Sequence, residues 1–434
     1  MRKTKRVSEV GKGMVIEMNI NKIIEIISKY AAEPKAEINE NTNLLQDLHM
    51  ESMSFIDMIC EFEGEFKRAI PERDFRKFIT VKKIAAYLES GQSTVSSEQS
   101  ADTENTTGFI RSHCIVSPLT KKLAQKVPAL VTAVYGTEYP SAYLYNPDEF
   151  WAKTEKGDIY PYIAINGEGK ATGMISLIRL SVNSNAFELG QLMVTPEYRG
   201  TNVAELLISC ISSQELGFGV IYCESVTTHK FSQRSCIAGG FCDTAIKLNI
   251  MAPYENNSPG RISCVVSCIE RGEMELWAYL PQVYKEEIAL SLEGLSTRVC
   301  RNASDISPNN PTLYTVNDDE LTTSQYIIVS ITEIGNDSAE MVQKLEEYAI
   351  KNQIKSLAVN IPLACPHNGA MVNALRSMGF FFTGVMPRWY RDSDALLMQK
   401  LYPNTPEWDK IKLFSDKIQA IAEKIKKSVP AIGG

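Results

Sequence analysis

The sequence predicts a multidomain chain: an N-terminal all-α four-helix bundle, followed by α/β (α+β) domains built on mixed central sheets. Three observations carry that expectation. The chain has 434 residues, more than one hydrophobic core supports. Apolar residues recur at helical spacing in the first ninety residues, then give way to alternating strand and helix patterns beyond a polar stretch. A strand–helix–strand–helix order closed by Gly-Phe also occurs twice, at Gly240-Phe241 and Gly379-Phe380, as in an internal repeat.

Residues 1–17 read as a disordered tail; Met1 to Arg6 is basic, but no apolar run follows, so no signal peptide is expected. In residues 18–90 the first helix carries Ile20, Ile23, Ile24 and Ile27, with Pro34 past its end. A loop through Asn39, Asn41, Thr42 and Asn43 leads to Ser52. Phe55, Met58, Ile59, Phe62 and Phe66 then mark one face of a second helix, and Asp57, Glu61, Glu63 and Glu65 occupy its other faces. A short third helix follows Ile70-Pro71, because proline suits a first helical turn. Thr80 can cap a fourth, whose inner face is Val81, Ile84, Ala85 and Leu88.

Residues 91–108 are almost devoid of apolar side chains and cannot offset their ordering entropy, so they are expected to be a flexible linker. A random coil of that length spans roughly 20–25 Å.

Residues 109–272 form the next expected domain. A helix over Val127–Tyr135 is followed by strands over Tyr162–Ile165, Gly173–Leu180 and Phe187–Val194. Then come a helix over Val203–Ser213, a strand over Val220–Val226 and a helix ending before Gly239-Gly240-Phe241. Residues 273–402 repeat the order: strand Tyr326–Ile331, helix Ser338–Ile350, strand Ser356–Ile361, a helix up to Gly379-Phe380, and a strand near Ala395–Gln399. Residues 403–434 hold a C-terminal helix over Trp408–Lys427, with Ile411, Phe414, Ile418, Ile421 and Ile425 on one face for docking or for interaction.

Charge and composition narrow the function. A net charge of −7 gives no electrostatic reason to expect nucleic acid or an anionic membrane as partner. No window is apolar for long enough to predict a transmembrane helix. The ten cysteines and four histidines are dispersed, without a CxxC pair, so no metal site is expected. Reduced cysteines point to a cytoplasmic protein.

Ser52 begins an acidic amphipathic helix at a loop junction, within Leu48-His49-Met50-Glu51-Ser52-Met53. On position alone it reads as an N-cap. With Phe66 to Ile70-Pro71 and Ile79-Thr80-Val81, however, the segment resembles acyl and peptidyl carrier proteins along its whole length. Their pattern is Asp-Ser-Leu, then Phe-x-x-x-Ile-Pro, then Ile-Thr-Val. Glu51, Met53 and His49 are the departures. The resemblance implies a covalent 4'-phosphopantetheine arm on Ser52. It also implies a phosphopantetheinyl transferase and an acyl- or amino-acid-activating enzyme as partners.

The run from Glu188 to Ala204 places a strand, a polar glycine-containing turn and a helix start in succession. Unpaired N–H groups at such a helix start bind phosphate. Val194-Thr-Pro196-Glu-Tyr-Arg199-Gly200-Thr201-Asn202-Val203-Ala204 resembles the central motif of the GNAT superfamily of acyltransferases, and Asn202 replaces its middle glycine. Gly240-Phe241 resembles that family's closing pair. The resemblance implies that Arg199, Gly200, Thr201, Asn202, Val203 and Ala204 hold the phosphates of acetyl-CoA, another acyl-CoA or an acyl-carrier thioester. Backbone groups near Leu192 and Val194 would polarise the thioester. Glu188 stands where family members place a base for the amine, and it equally fits a solvated strand-end carboxylate. Cys236 holds the family's tyrosine position, as a proton donor to the leaving thiolate or as a buried filler. His229 holds the place of an asparagine at a helix start.

Residues 273–402 resemble a second, degenerate GNAT copy. Thr332-Glu-Ile-Gly-Asn-Asp337 lacks the Arg-Gly turn, and Leu375 takes the tyrosine position. The expected function is N-acyl transfer between a pantetheine thioester and a small-molecule amine in specialised metabolite biosynthesis, with the chain's own carrier holding one reactant. The alternative is a non-catalytic carrier or scaffold that binds acyl-pantetheine or a partner enzyme.

Overall fold

The computed structural model describes residues 20–30, 38–42, 44, 48, positions between 58 and 89, and most of 114–430. Within that last stretch 138, 140, 181–182, 199–200, 202, 213–218, 253–259, 273, 318–323 and 403–405 are not described. Ser52, the short helix after Pro71 and the 91–108 linker therefore lie outside the described residues, as do the 1–17 tail and Pro34. The chain is multidomain, with two compact units: residues 1–113 together with 196–203, and residues 114–195 together with 204–434.

In the N-terminal segment, residues 20–28 are helical and bury Ile23, Ile26 and Ile27. Helical positions at 58–59, 61–62 and 65–66 bury Met58, Ile59 and Phe62. Phe62 meets Phe78 at 6.1 Å between ring centroids. Lys29 Nζ and Tyr30 Oη each reach the Glu61 carboxylate at 2.6 Å. Thr80 Oγ1 accepts from Lys83 N, weakly at 3.4 Å, at the start of the helix Val81–Glu89. That helix buries Val81, Ile84 and Ala85, as its spacing predicts.

The larger unit is built on strands β1 (Ile115–Pro118), β2 (Ile159–Ile165), β3 (Ala171–Leu180), β4 (Asn183–Val194), β5 (Val220–Val226), β6 (Cys242–Met251) and β7 (Ile262–Glu270). They are followed by β8 (Leu276–Leu280), β9 (Arg298–Asn302), β10 (Leu313–Asn317), β11 (Tyr326–Glu333), β12 (Ser356–Pro362), β13 (Phe381–Tyr390) and β14 (Ser393–Leu401). Twelve strands form one mixed sheet in the order β1-β2-β3-β4-β5-β7-β6-β13-β14-β12-β11-β10. Read outward from the β6–β13 seam, β6-β7-β5-β4-β3 mirrors β13-β14-β12-β11-β10, each strand facing a counterpart seven later in the chain. The parallel pair β4–β5 corresponds to the parallel pair β11–β12.

The repeat extends to hydrogen bonds. After the helix Phe231–Ala238, Phe241 N donates to Cys236 O and Gly240 N to Ile237 O, both at 3.0 Å. After the helix Asn368–Ser377, Phe380 N donates to Leu375 O and Gly379 N to Arg376 O, again at 3.0 Å. Gly240 and Gly379 have φ of 86° and 84°, the left-handed cap geometry that glycine adopts without cost.

β12 is buried along its whole length, which explains its near-continuous apolar run. The C-terminal helix is shorter than its apolar spacing suggests. It spans Asp416–Ser428, capped by Ser415 Oγ accepting from Ile418 N. Ile418, Ile421 and Ile425 are buried in the core, whereas Ile411 and Phe414 precede the helix. Lys412 N donates to Thr227 O and Phe414 N to the side-chain Oε1 of Gln233, so partners outside a helix satisfy these backbone groups. Among the described residues, no helix is long and apolar enough to cross a membrane.

Candidate active site

The distinctive feature of the first half-sheet is an opening between parallel strands. β4 and β5 pair only from Ala186–Val220 to Glu188–Tyr222. Beyond Glu188, β4 runs on to Val194 and β5 to Val226 without further ladder pairs between them. β5 stays fully paired to β7 on its other side. β4 carries a bulge there: Met174 faces Met193 and Ser176 faces Gly190, so one extra residue is accommodated. Gln191 sits in the bulge with φ of 55°. A bulge leaves an extra backbone group outside the ladder, and here it does so on the strand that borders the opening.

Side chains gather around the opening. Glu188 is partly buried, its Oε1 3.5 Å from the point a Cβ on Gly190 would occupy. Gln191 Nε2 donates to Tyr143 Oη at 2.6 Å. Burial pushes the Tyr143 phenol up; hydrogen bonds with Ser141 and Gln191 oppose this, and the Glu188 charge reinforces it. Across the gap Glu224 forms an ion pair with buried Lys247. Burial alone would lower the Lys247 ammonium, but the charges of Glu224, Tyr326 and Glu188, with the Glu224 hydrogen bond, hold it above its ordinary value.

Cys236 is buried, and its Sγ lies 2.8 Å from Cys223 Sγ on β5. Ser225 Oγ lies 3.5 Å from Cys236 Sγ and 3.8 Å from Cys223 Sγ. The hydrogen bond shared with Cys223, helped by Ser225, brings the Cys236 thiol down against its burial. The same bond, with burial, pushes Cys223 up.

His229 is placed differently from Glu188 and Cys236. It is buried just before the helix Phe231–Ala238, where Gln233 Nε2 donates to the carbonyls of Val226, His229 and Lys412. Burial, and then the Lys412 charge, lower its pKa to about 4, so the ring is neutral at pH 7. Its Nδ1 has no hydrogen-bond partner among the described residues.

Of the residues expected to bind phosphate, Arg199, Gly200 and Asn202 lie outside the described residues. Thr201 N donates to Tyr198 O at 3.2 Å, and Thr201 Oγ1 accepts from Val203 N at 3.3 Å. Val203 and Ala204 open the helix Val203–Ser212. Leu192 is 39% exposed beside the bulge, and Val194 ends β4.

The equivalent helix start in the second half is filled by its own chain. Gly335 N donates to Thr312 Oγ1 and Asn336 N to Asn310 O, both at 3.0 Å. Asp337 accepts from Thr312 N at 2.7 Å. A Cβ on Gly335 would lie 2.1 Å from Asn310 O, so the segment passes directly over the turn.

Sequence reasoning missed Tyr143, Gln191, Cys223 and Lys247. Cys223 was within reach, since alternation along Val220–Val226 puts it on the same strand face as Ser225. Tyr143 and Lys247 carry no local signal. Among the described residues no group of three or more His, Cys, Asp or Glu could hold a metal ion.

Residues 21–88 match the family described as phosphopantetheine attachment site. Among curated relatives, the acyl carrier protein of Lactobacillus acidophilus is 35% identical over 72 residues, 17% of this chain and 90% of the relative. That of Thermotoga maritima is 30% identical over 69 residues, 16% of this chain and 85% of the relative. Among solved structures, a spermidine/spermine N-acetyltransferase from Vibrio cholerae aligns with 37% of this chain and 95% of its own, at 16% identity and TM-score 0.30. An N-acetyltransferase from Staphylococcus aureus Mu50 aligns with 37% of this chain and 99% of its own, at 11% identity and TM-score 0.32.

Proposed function

We propose a function from one premise: the chain belongs, through residues 21–88, to the acyl carrier protein family. On that premise Ser52 carries a 4'-phosphopantetheine arm at the start of the second helix of a four-helix bundle. A phosphopantetheinyl transferase installs the arm, and an acyl- or amino-acid-activating enzyme charges it. The remainder of the chain is an N-acyltransferase of the GNAT type, and the arm holds one of its reactants. The observation that carries this reading is the opening between β4 and β5, bordered by the Gln191 bulge.

In this reading the thioester lies along the opening, and a backbone N–H released by the bulge offsets the charge that develops on its carbonyl oxygen. The amine nitrogen attacks the carbonyl carbon, the C–S bond breaks, and an amide forms. Glu188 takes the proton from the amine, and Cys236 gives one to the departing pantetheine sulfur. The turn from Arg199 to Ala204 holds phosphate at the helix start. Asn202 in place of glycine favours a carrier-bound donor, whose arm has one phosphate where coenzyme A also presents a pyrophosphate. Holding the reactant on the same chain gives an effective concentration of roughly millimolar order.

Residues 273–402 act as a silent second copy that stabilises the first. The self-filled turn at Gly335 and the shared β6–β13 seam support that role.

The test uses the full chain with its arm installed and acylated, incubated with a panel of amines and analysed by mass spectrometry. Loss of the acyl group from the arm, matched by an amide product, supports the reading. An arm that loads normally but transfers to no amine, with no transfer from acyl-CoAs either, favours a non-catalytic carrier or scaffold.

A further inference from the structure

We infer that Cys223 and Cys236 are a redox-active dithiol, a modification site whose two thiols close to a disulfide when a small hydroperoxide reaches them. The two sulfurs come from different elements, β5 and the helix Phe231–Ala238, yet lie 2.8 Å apart. An S–S bond of ~2.05 Å is less than 1 Å away, so closure asks for side-chain adjustment and not for strand movement. Cys223 directly follows the last β4–β5 ladder pair, beside the opening, which gives a small oxidant its route. Ser225 Oγ stands beside both sulfurs and donates to whichever is ionised. The low-lying Cys236 thiol is the one suited to attack first.

The Cys236 thiolate attacks the hydroperoxide: an S–O bond forms, the O–O bond breaks, and the departing alkoxide or hydroxide takes a proton. Cys223 Sγ then attacks the sulfenic sulfur. The S–S bond forms, the S–O bond breaks, and hydroxide leaves with the Cys223 proton as water. The two thiols supply the two electrons that reduce the peroxide, and an external dithiol reverses the change. The bond itself rests on this geometry alone. Its consequence, that the oxidised pair has no proton to give and transfer stops, rests on the acyltransferase reading.

The test treats the full chain, purified without the arm, with stoichiometric hydrogen peroxide. The expected product has two fewer titratable thiols than the ten of the reduced chain. Its mass is about 2 Da lower, one disulfide's worth of hydrogen, and dithiothreitol restores it. Lys230 and Arg234 lie between the two cysteines, so trypsin separates peptide 200–230 from peptide 235–247. These also hold Cys210 and Cys242, so fragmentation of the joined peptide assigns the bond to Cys223 and Cys236. Cys223→Ser and Cys236→Ser should each prevent the joined peptide, and Cys300→Ser should not. If the first two variants misfold, fragmentation of the wild-type joined peptide alone decides. Ten thiols after treatment, oxygen added to a single cysteine, or a joined peptide from another pair would overturn the inference. Once amide formation is detected, unchanged turnover by the oxidised chain would overturn the gating consequence, while the mapped bond stands or falls separately.

Discussion

Gly384 and Ala245 touch where the two halves of the sheet join. They are the register pair between β13 and β6, and a Cβ on Gly384 would lie 2.3 Å from Ala245 Cα and 2.6 Å from Thr244 O. Gly384 also has φ of 140°, which side chains rarely adopt. Gly384→Ala should therefore destabilise the chain by about 3 kcal/mol or more, through strain and forced separation of the strands. Gly240→Ala separates the two effects, because Gly240 has φ of 86° but nothing within 4 Å of a built Cβ. It should cost only about 1 kcal/mol. Urea midpoints for both variants check the difference; equal shifts would refute the close-contact argument.

A buried ion cluster crosses the larger unit. Arg298 Nε and Nη2 donate to the Asp394 carboxylate at 2.8 and 2.9 Å, while Glu270 pairs with both Arg298 and Arg388. Asp394 also accepts from Arg388 N at 2.8 Å. Asp394→Asn leaves buried positive charge undercompensated and should cost about 3–5 kcal/mol. Equilibrium unfolding would show it, with the loss insensitive to added salt because the group is shielded from solvent.

His229 should make stability depend on pH. Its folded pKa of about 4 lies below the ordinary 6.5, so the folded state refuses a proton that the unfolded chain accepts. This contribution is complete above pH 6.5 and is lost as pH falls toward 4. Its full size is about 3 kcal/mol at most. His229→Gln should flatten the fall in unfolding free energy across that window; an unchanged slope would assign it to other groups.

Glu188→Gln keeps the shape of the β4 side chain and removes its ability to take a proton. Amide formation should drop by about 10²–10³-fold, with the loss in kcat. The variant should regain rate as pH rises and more amine arrives already neutral. A Gln variant with wild-type turnover would leave Glu188 as a strand-end carboxylate.

Ser52→Ala should accept no arm from a broad-specificity phosphopantetheinyl transferase, whereas the unsubstituted chain should gain the mass of one. An arm found on another residue would remove the basis of the carrier-bound reading.

Much of the fold was legible from periodicity. The helix over Val127–Tyr135 and the strand over Val220–Val226 match their expected bounds, and the Gly-Phe repeat is mirrored in strand order and in matching helix caps. Helix and strand spacing is written into neighbouring residues, so it survives without tertiary context. The C-terminal helix was read too long, because Ile411 and Phe414 keep the apolar spacing while Gln233 and Thr227 satisfy their surroundings in an extended path. β1, β6, β13 and the strands β8 to β10 went unread; β10 is exposed along its length and has no buried face to impose alternation.

The sequence by itself determined the carrier segment and the two Gly-Phe repeats. Those features depend on short spacings, where identity and geometry are coupled by the chain itself. Only the tertiary structure decided that the repeats share one twelve-stranded sheet, that Cys223 meets Cys236, and that Asn310 to Thr312 fill the second helix start. Each of these is a contact across a loop or between halves, and packing and hydrogen-bond satisfaction set such contacts with no local signature.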